Sequence, residues 1–200
     1  MSEERPSIAA VVLAAGGSSR LGTPKQLIDF RGEPLVRRAA RAAAEAGANP
    51  VVVVLGAEAT EIARALGGVE SVSSIVNDLW QSGLASSLAM GIREAVRISP
   101  RCDALLIITG DQPLVSVEAL RALLDTFVGD ARLVAAEYSG TIGVPAIIGS
   151  EHFAAMLALE GDVGAGRWLR SRMSEVVRVP IAEAAFDIDT AEDRALLAGI

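Results

Sequence analysis

Two cations, Arg20 and Lys25, follow adjacent glycines, Gly16 and Gly17, and a pair of serines, Ser18 and Ser19. An arginine offers a planar fork of N–H groups that matches phosphate oxygens, and a lysine offers a mobile point charge. Glycines let a ligand come close to main-chain N–H groups. With the apolar run 8–15 just before it, this stretch reads as a glycine turn after a strand, which suits an anionic phosphate chain. The competing reading is a tight strand-to-helix turn with surface charges. Two better-known phosphate loops do not fit. Gly17 and Gly22 have the spacing of GxxxxGK[ST], but Thr23 and Pro24 follow and Lys25 arrives late; GxGxxG is absent because Gly16 and Gly17 are adjacent.

Carboxylates come second. Asp111 stands in GDQP (110–113), directly after ALLIIT (104–109), the most apolar run in the chain. A carboxylate beside a glycine at the end of a buried strand can hold a hard cation such as Mg²⁺, which takes one or two carboxylates and completes its shell with phosphate oxygens and water. Alternatively Asp111 caps its own turn or the helix near Ser116. Asp187 and Asp189 alternate in FDIDTAED (186–193), so on a strand they share one face. One of them could join Asp111 on the metal, or Asp189 and Thr190 simply cap the last helix. In NDLWQSGLASSL (77–88), Gly83 supplies a turn, and the helix start with Ser86 and Ser87 can meet a nucleotide. The plainer alternative is a helix start with serine caps and Trp80 as packing. His152, the single histidine, reads as a surface or packing residue.

These residues need elements to position them. Residues 8–15, 50–56, 73–77, 104–109, 133–138, 144–148 and 175–181 read as strands, several as apolar or β-branched runs buried on both faces. Helices are predicted over an alanine-rich stretch opened by Pro34 and ended by Gly47, and over 58–66, 84–97, 117–127 (N-cap Ser116), 152–159, 165–173 and 190–197 (cap Thr190). Residues 29–34 read as a turn. Strands alternating with helices predict an α/β fold: a single three-layer domain over 1–200 with a doubly wound, mostly parallel sheet. In such sheets ligands bind outside the carboxyl ends of the strands. The glycine turn, Asn77 with Asp78, and GDQP all fall there.

Composition sets bounds. With 200 residues and 51% hydrophobic content, the chain can build one sizeable core. A net charge of −7 argues against non-specific binding to nucleic acid or anionic membrane. The one cysteine, Cys102, excludes an internal disulfide and a multi-cysteine metal site. The opening MSEERPS lacks a signal-peptide core, and no apolar run approaches the ~20 residues that span a bilayer. A cytoplasmic globular protein is expected.

LAAGGSSRLGTPK (13–25) resembles LAAGxSxRMGxxK, a signature of the molybdenum cofactor cytidylyltransferase-like nucleotidyltransferases, which have the MobA-like NTP transferase fold. Leu21 replaces the usual methionine and keeps its apolar volume. GDQP is the form that family shows at its metal-binding aspartate. Residues 77–88 resemble N-x-x-W-x-x-G-x-x-S-S-L, and 186–193 resemble DIDTPED with Ala191 in place of proline. Gly143, Val144 and Pro145 resemble a GxP segment, and GDVGAGR (161–167) resembles GDxGAR with Gly166 displacing Arg167 by one position. The resemblance implies that the acceptor pocket lies near these last two segments. Arg167 reads instead as a solvated helix residue.

What the resemblance implies is transfer of CMP from CTP to molybdopterin carrying molybdenum, with pyrophosphate leaving. Asp111 and Asp189 would hold Mg²⁺, and Arg20 and Lys25 would neutralise the triphosphate. Leu13, Ala14, Ala15, Gly16, Gly17 and Ser18 would contact base and phosphates, together with Asn77, Gly83, Ser86, Ser87 and Gly110. Gln112, Pro113, Gly143 and Pro145 would face the acceptor. LAAG goes with cytidine in that family, and LAGG with guanosine. A molybdenum hydroxylase or its chaperone would be the protein partner. The same fold serves sugar-nucleotide and isoprenoid-precursor cytidylyltransferases, and PKQ (24–26) resembles the latter. A non-catalytic accessory that holds nucleotide or cofactor is the alternative from another class.

Overall fold

The computed structural model describes residues 5–18, 21–128, 132–197 and 199–200. The first half follows the predicted alternation: β1 (Ile8–Ala14), a hairpin of two-residue strands β2 (Asp29–Phe30) and β3 (Glu33–Pro34), α1 (Leu35–Ala46), β4 (Val51–Leu55), α2 (Ala59–Ala65), β5 (Val72–Val76) and α3 (Leu84–Ile98). The second half holds β6 (Ala104–Thr109), α4 (Val117–Thr126), β7 (Leu133–Tyr138), β8 (Thr141–Gly149), α5 (Phe153–Leu157), α6 (Ala165–Arg170), β9 (Val177–Pro180) and α7 (Ala191–Leu197). Among the described residues the main sheet has seven strands in the order β5-β4-β1-β6-β8-β7-β9. β8 pairs antiparallel with both its neighbours, and the other pairings are parallel.

β1 lies at the middle of the parallel half, between β4 and β6, and all seven of its residues are buried. Its alternation divides the core. Ala10, Val12 and Ala14 face the layer of α1, α2 and α4, while Ala9, Val11 and Leu13 face α3, α5 and α6. Burying both faces is why β1 and β4 are nearly free of polar residues.

The second half departs from expectation at β8. The predicted strand 144–148 begins three residues earlier, at Thr141, because Ser139 (φ 49°) and Gly140 (φ 74°) form a two-residue turn joining β7 to β8. Positive φ at both central residues matches the twist of a hairpin. β6 pairs with β8 only as far as Ile107 and Ala146, so Gly143, Val144 and Pro145 run on past that end of the β6–β8 ladder. FDID, whose alternating aspartates would share a face on a strand, is an extended loop outside the sheet. Ile188 N–H donates to the Asp111 carbonyl (3.0 Å) and ties the loop to the segment after β6. Ile188 is fully buried against Ile28, Phe30, Leu35 and Leu197, so a single inward residue separates the two aspartates as a strand would have done.

Candidate active site

The carboxyl ends of β1, β4, β5 and β6 open on one side of the sheet, and a cavity of about 440 Å³ lies there. Residues 13–16, Lys25, Gln26, Trp80, Gln81, Gly83, Leu84, Ser87, Thr109, Gly110, Asp111 and Asp162 line it. The expected residues Leu13, Ala14, Ala15, Gly16, Lys25, Gly83, Ser87, Gly110 and Asp111 are therefore gathered in one place.

The glycine turn is held by its own neighbours. Gln26 is buried, and its amide donates to the carbonyls of Ala14 (2.9 Å) and Gly16 (2.8 Å). Ser18 Oγ accepts from the Lys25 N–H (2.9 Å), so it fixes the turn. A lone glutamine between Lys25 and Leu27 carries no sequence signal for this work. Trp80 closes the turn from above. A methyl at Gly17 would meet its ring at 2.9 Å, and one at Gly56 would meet the Ala15 carbonyl at 2.6 Å. Gly56 was not anticipated, while Asp162 belongs to the 161–167 segment expected near the acceptor pocket. Arg20 lies outside the described residues.

Lys25 crosses from this turn to the acidic segments. Its ammonium is 2.6 Å from Asp111 Oδ2 and 2.8 Å from Asp189 Oδ1, and the lysine and Asp111 side chains are only 18% and 16% exposed. Burial works to lower the Lys25 pKa, but Asp111, and then Asp189, outweigh it and hold the ammonium above its ordinary value. Asp187 feels the same cluster from the other sign. Partial desolvation first, then the charges of Asp111 and Asp189, raise its carboxyl above the usual range. Thr190 and Asp193 form a reciprocal cap, Asp193 N–H to Thr190 Oγ1 (3.2 Å) and Thr190 N–H to Asp193 Oδ2 (2.7 Å). The Asp189 N–H also donates to Asp193 (3.0 Å). Thr190 is thus the helix cap that the sequence predicts, and the Asp189 carboxylate accepts from Lys25.

Other expected residues shape the cleft without lining it. Asn77 is buried, and its side chain is engaged with Ser86 Oγ (2.9 Å), Ser87 Oγ (3.0 Å) and the Leu79 N–H (3.0 Å). Ser86 Oγ is also within bonding distance of the Gly83 carbonyl (2.9 Å). These two residues build the entrance to α3. Gly83 has φ 117° and presses on the Gly161 backbone, where a Cβ would collide, so the loop carrying Asp162 is locked to that entrance.

Gln112, Pro113, Gly143 and Pro145 lie off the main cavity. The Gln112 amide donates to the carbonyls of Ala184 (2.8 Å) and Val144 (3.2 Å), tying the turn after β6 to β8 and to the helical turn Ala182–Ala185. The Pro113 carbonyl accepts from Arg38 Nε (2.9 Å). Arg167 is exposed, and His152 packs edge-on against Trp168 with ring centroids 5.5 Å apart.

The site fits a divalent cation in the nature of its donors. Two carboxylates converge on one positive charge, and Mg²⁺ and Mn²⁺ prefer hard oxygen ligands. Among the described residues, no three Asp, Glu, His or Cys side chains are gathered as a metal cage. A cation held by one or two carboxylates and its substrate's phosphates needs none. Among the described residues no helix is long and apolar enough to cross a membrane.

Residues 10–176 match the model of the MobA-like NTP transferase domain family. A "nicotine blue oxidoreductase" of Paenarthrobacter nicotinovorans is 32% identical over 94% of each chain. A "probable molybdenum cofactor guanylyltransferase" of Opitutus terrae is 31% identical over 85% of this chain and 76% of that one. The chain also matches bifunctional GlmU proteins, covering 36% of the one from Anaeromyxobacter sp. (strain Fw109-5). Among solved structures, Rv0371c from Mycobacterium tuberculosis superposes with a TM-score of 0.82 at 26% identity, covering 99% of this chain and 100% of that one. The same protein has been crystallised in complex with manganese (TM-score 0.77).

Proposed function

Because the chain belongs to the MobA-like NTP transferase family, we propose that it transfers CMP from CTP to the phosphate of a molybdopterin-type acceptor. An acceptor phosphate oxygen attacks the α-phosphorus of the nucleotide, the bond to the β-phosphate oxygen breaks, and pyrophosphate leaves. Phosphoryl and nucleotidyl transfer ask little covalent chemistry of a protein, which acts by positioning and by stabilising charge. The observation that carries this reading is that Lys25 and Asp111 pair on the wall of the cavity that the 13–16 turn also lines, with Asp189 reaching the same ammonium.

In this reading the main chain of residues 14–17 cradles base and phosphates. Lys25 neutralises charge on the triphosphate, and Asp111 with Asp189 holds a divalent cation. Bound there, Mg²⁺ or Mn²⁺ would neutralise phosphate charge and fix the triphosphate's orientation. Ala15 lines the cavity at the position where LAAG and LAGG differ, which supports cytidine as the base. The Gln112 amide nitrogen is spent on Ala184 and Val144, while its buried Oε1 has no hydrogen-bond partner among the described residues and remains a hydrogen-bond acceptor that can meet the acceptor substrate.

The test is pyrophosphate release by the purified protein with Mg²⁺, each NTP in turn, and molybdopterin. Release with CTP alone supports the proposal. Nucleotide binding without turnover points to an accessory that holds cofactor for a molybdenum hydroxylase. A second reading rests on the similarity to the nicotine blue oxidoreductase over 94% of each chain: an oxidoreductase acting on nicotine blue or a related dye. A redox colour change of nicotine blue that depends on the protein, with no pyrophosphate released from any NTP, would favour it.

A further inference from the structure

The Lys25 ammonium stands where the two carboxylates assigned above to a divalent cation converge, 2.6 Å from Asp111 and 2.8 Å from Asp189. Asp187 adds negative charge to the same neighbourhood. A carboxylate oxygen that accepts from an ammonium is not free to coordinate a metal at that point, and two cations there repel. The lysine is built to leave. Its charge is compact and sits on a flexible four-carbon stem. Its main chain is separately anchored through the bond from Lys25 N–H to Ser18 Oγ, so the side chain can swing while the turn stays in place. The cavity it lines is shared with residues 13–16, so an ammonium that leaves the carboxylates is already beside the proposed triphosphate position.

We propose that Lys25 is a built-in counter-ion with which a divalent cation exchanges, so that cation and triphosphate are taken up as a coupled pair. The cation takes the carboxylates, the released ammonium goes to the phosphates, and neither ligand binds well without the other. This rests on the reading of Asp111 and Asp189 as a cation site beside a triphosphate site. By reciprocity, whatever factor the nucleotide adds to cation affinity, the cation adds to nucleotide affinity.

The consequence runs against intuition. Lys25 competes with the free metal ion, so removing it should tighten metal binding when no nucleotide is present. Binding of Mn²⁺ alone, followed through the paramagnetic resonance signal of the free ion, is compared for wild type and Lys25→Met. It is then repeated at saturating α,β-methylene-CTP. Lys25→Met is expected to bind Mn²⁺ alone about tenfold more tightly, within the usual range of coupling factors. The nucleotide should tighten Mn²⁺ binding about tenfold in wild type and far less in the variant. Lys25→Arg keeps the charge and should bind Mn²⁺ alone as weakly as wild type. Lys25→Gln serves if Lys25→Met does not fold. Equal or weaker Mn²⁺ binding by the neutral variants overturns the exchange while leaving the cation site standing. Failure of wild type and every variant to bind Mn²⁺ overturns the cation site and the exchange together.

Discussion

Two clusters in this molecule each set one cation between two carboxylates, and they differ in everything that matters for function. On α1 and the strand before it, Arg41 makes a two-pronged pair with Glu33 (Nε–Oε1 3.0 Å, Nη2–Oε2 2.8 Å) and reaches Glu45 with its third nitrogen (2.8 Å). In the cleft, Lys25 lies between Asp111 and Asp189. The planar guanidinium fills both prongs of Glu33 and stays on the surface, where solvent screens the pair and reduces its worth. The ammonium has no geometric lock, its partners come from distant segments, and it stands with Asp111 on the wall of a cavity. The arginine cluster fastens a helix to its own beginning. The lysine cluster holds charge that a ligand can take over.

The largest expected effect follows from that difference. Asp111→Asn should lower turnover by about 10³-fold, the scale of losing a group aimed at developing charge, with the far-ultraviolet circular dichroism unchanged. The fold survives because Lys25 keeps Asp189 as a partner, so the substitution leaves no uncompensated buried charge. Wild-type turnover would remove Asp111 from the proposed chemistry. Asp189→Asn should cost less, on the order of tenfold, as for groups that orient rather than lead. Asp189 is the more open of the two, 35% exposed against 16%. Equal losses in kcat for the two variants would show that the carboxylates are equivalent and erase the ranking.

How much of this the sequence carries depends on where the partners sit. Arg41 and Glu45 are four residues apart on a helix, and such a pair can be read from spacing. Lys25 and Asp189 are 164 residues apart, and nothing in spacing joins them. What could be read was the rule that polar motifs cluster at the carboxyl ends of parallel strands, and β1, β5 and β6 obey it. FDID shows why alternation alone does not make a strand. Alternation of Asp187, Ile188 and Asp189 meets the period of a strand, but the bond from Ile188 N–H to the Asp111 carbonyl ties the segment down without a ladder. The supporting parts were hidden for a different reason. Gln26, Gly56 and the Gly83–Gly161 contact act through packing and main-chain bonds, which no single residue type announces.

The smallest effect tests the other side of the comparison. Glu33→Gln should leave turnover untouched and lower stability by about 1 kcal/mol or less at pH 7, the range of a partly exposed ion pair. The hydrogen bonds from Arg41 hold the Glu33 carboxyl below its ordinary value of 4.5. A carboxylate with a depressed folded pKa stabilises fully above its unfolded value and loses that contribution as pH falls through the folded one. The stability gap between wild type and Glu33→Gln, measured by urea unfolding, should therefore be constant from pH 8 to about 5 and close steadily below 4.5. It should also shrink in 1 M NaCl, where screening acts within about 3 Å. The cleft cluster answers pH from the other direction. Lys25 has a raised pKa, so the lysine's own contribution to stability is complete below the ordinary lysine value and is lost as pH rises through the folded one. A gap for Glu33→Gln that persists undiminished at pH 3 would mean that Glu33 acts through packing rather than charge, and the two clusters would then differ in kind and not only in placement.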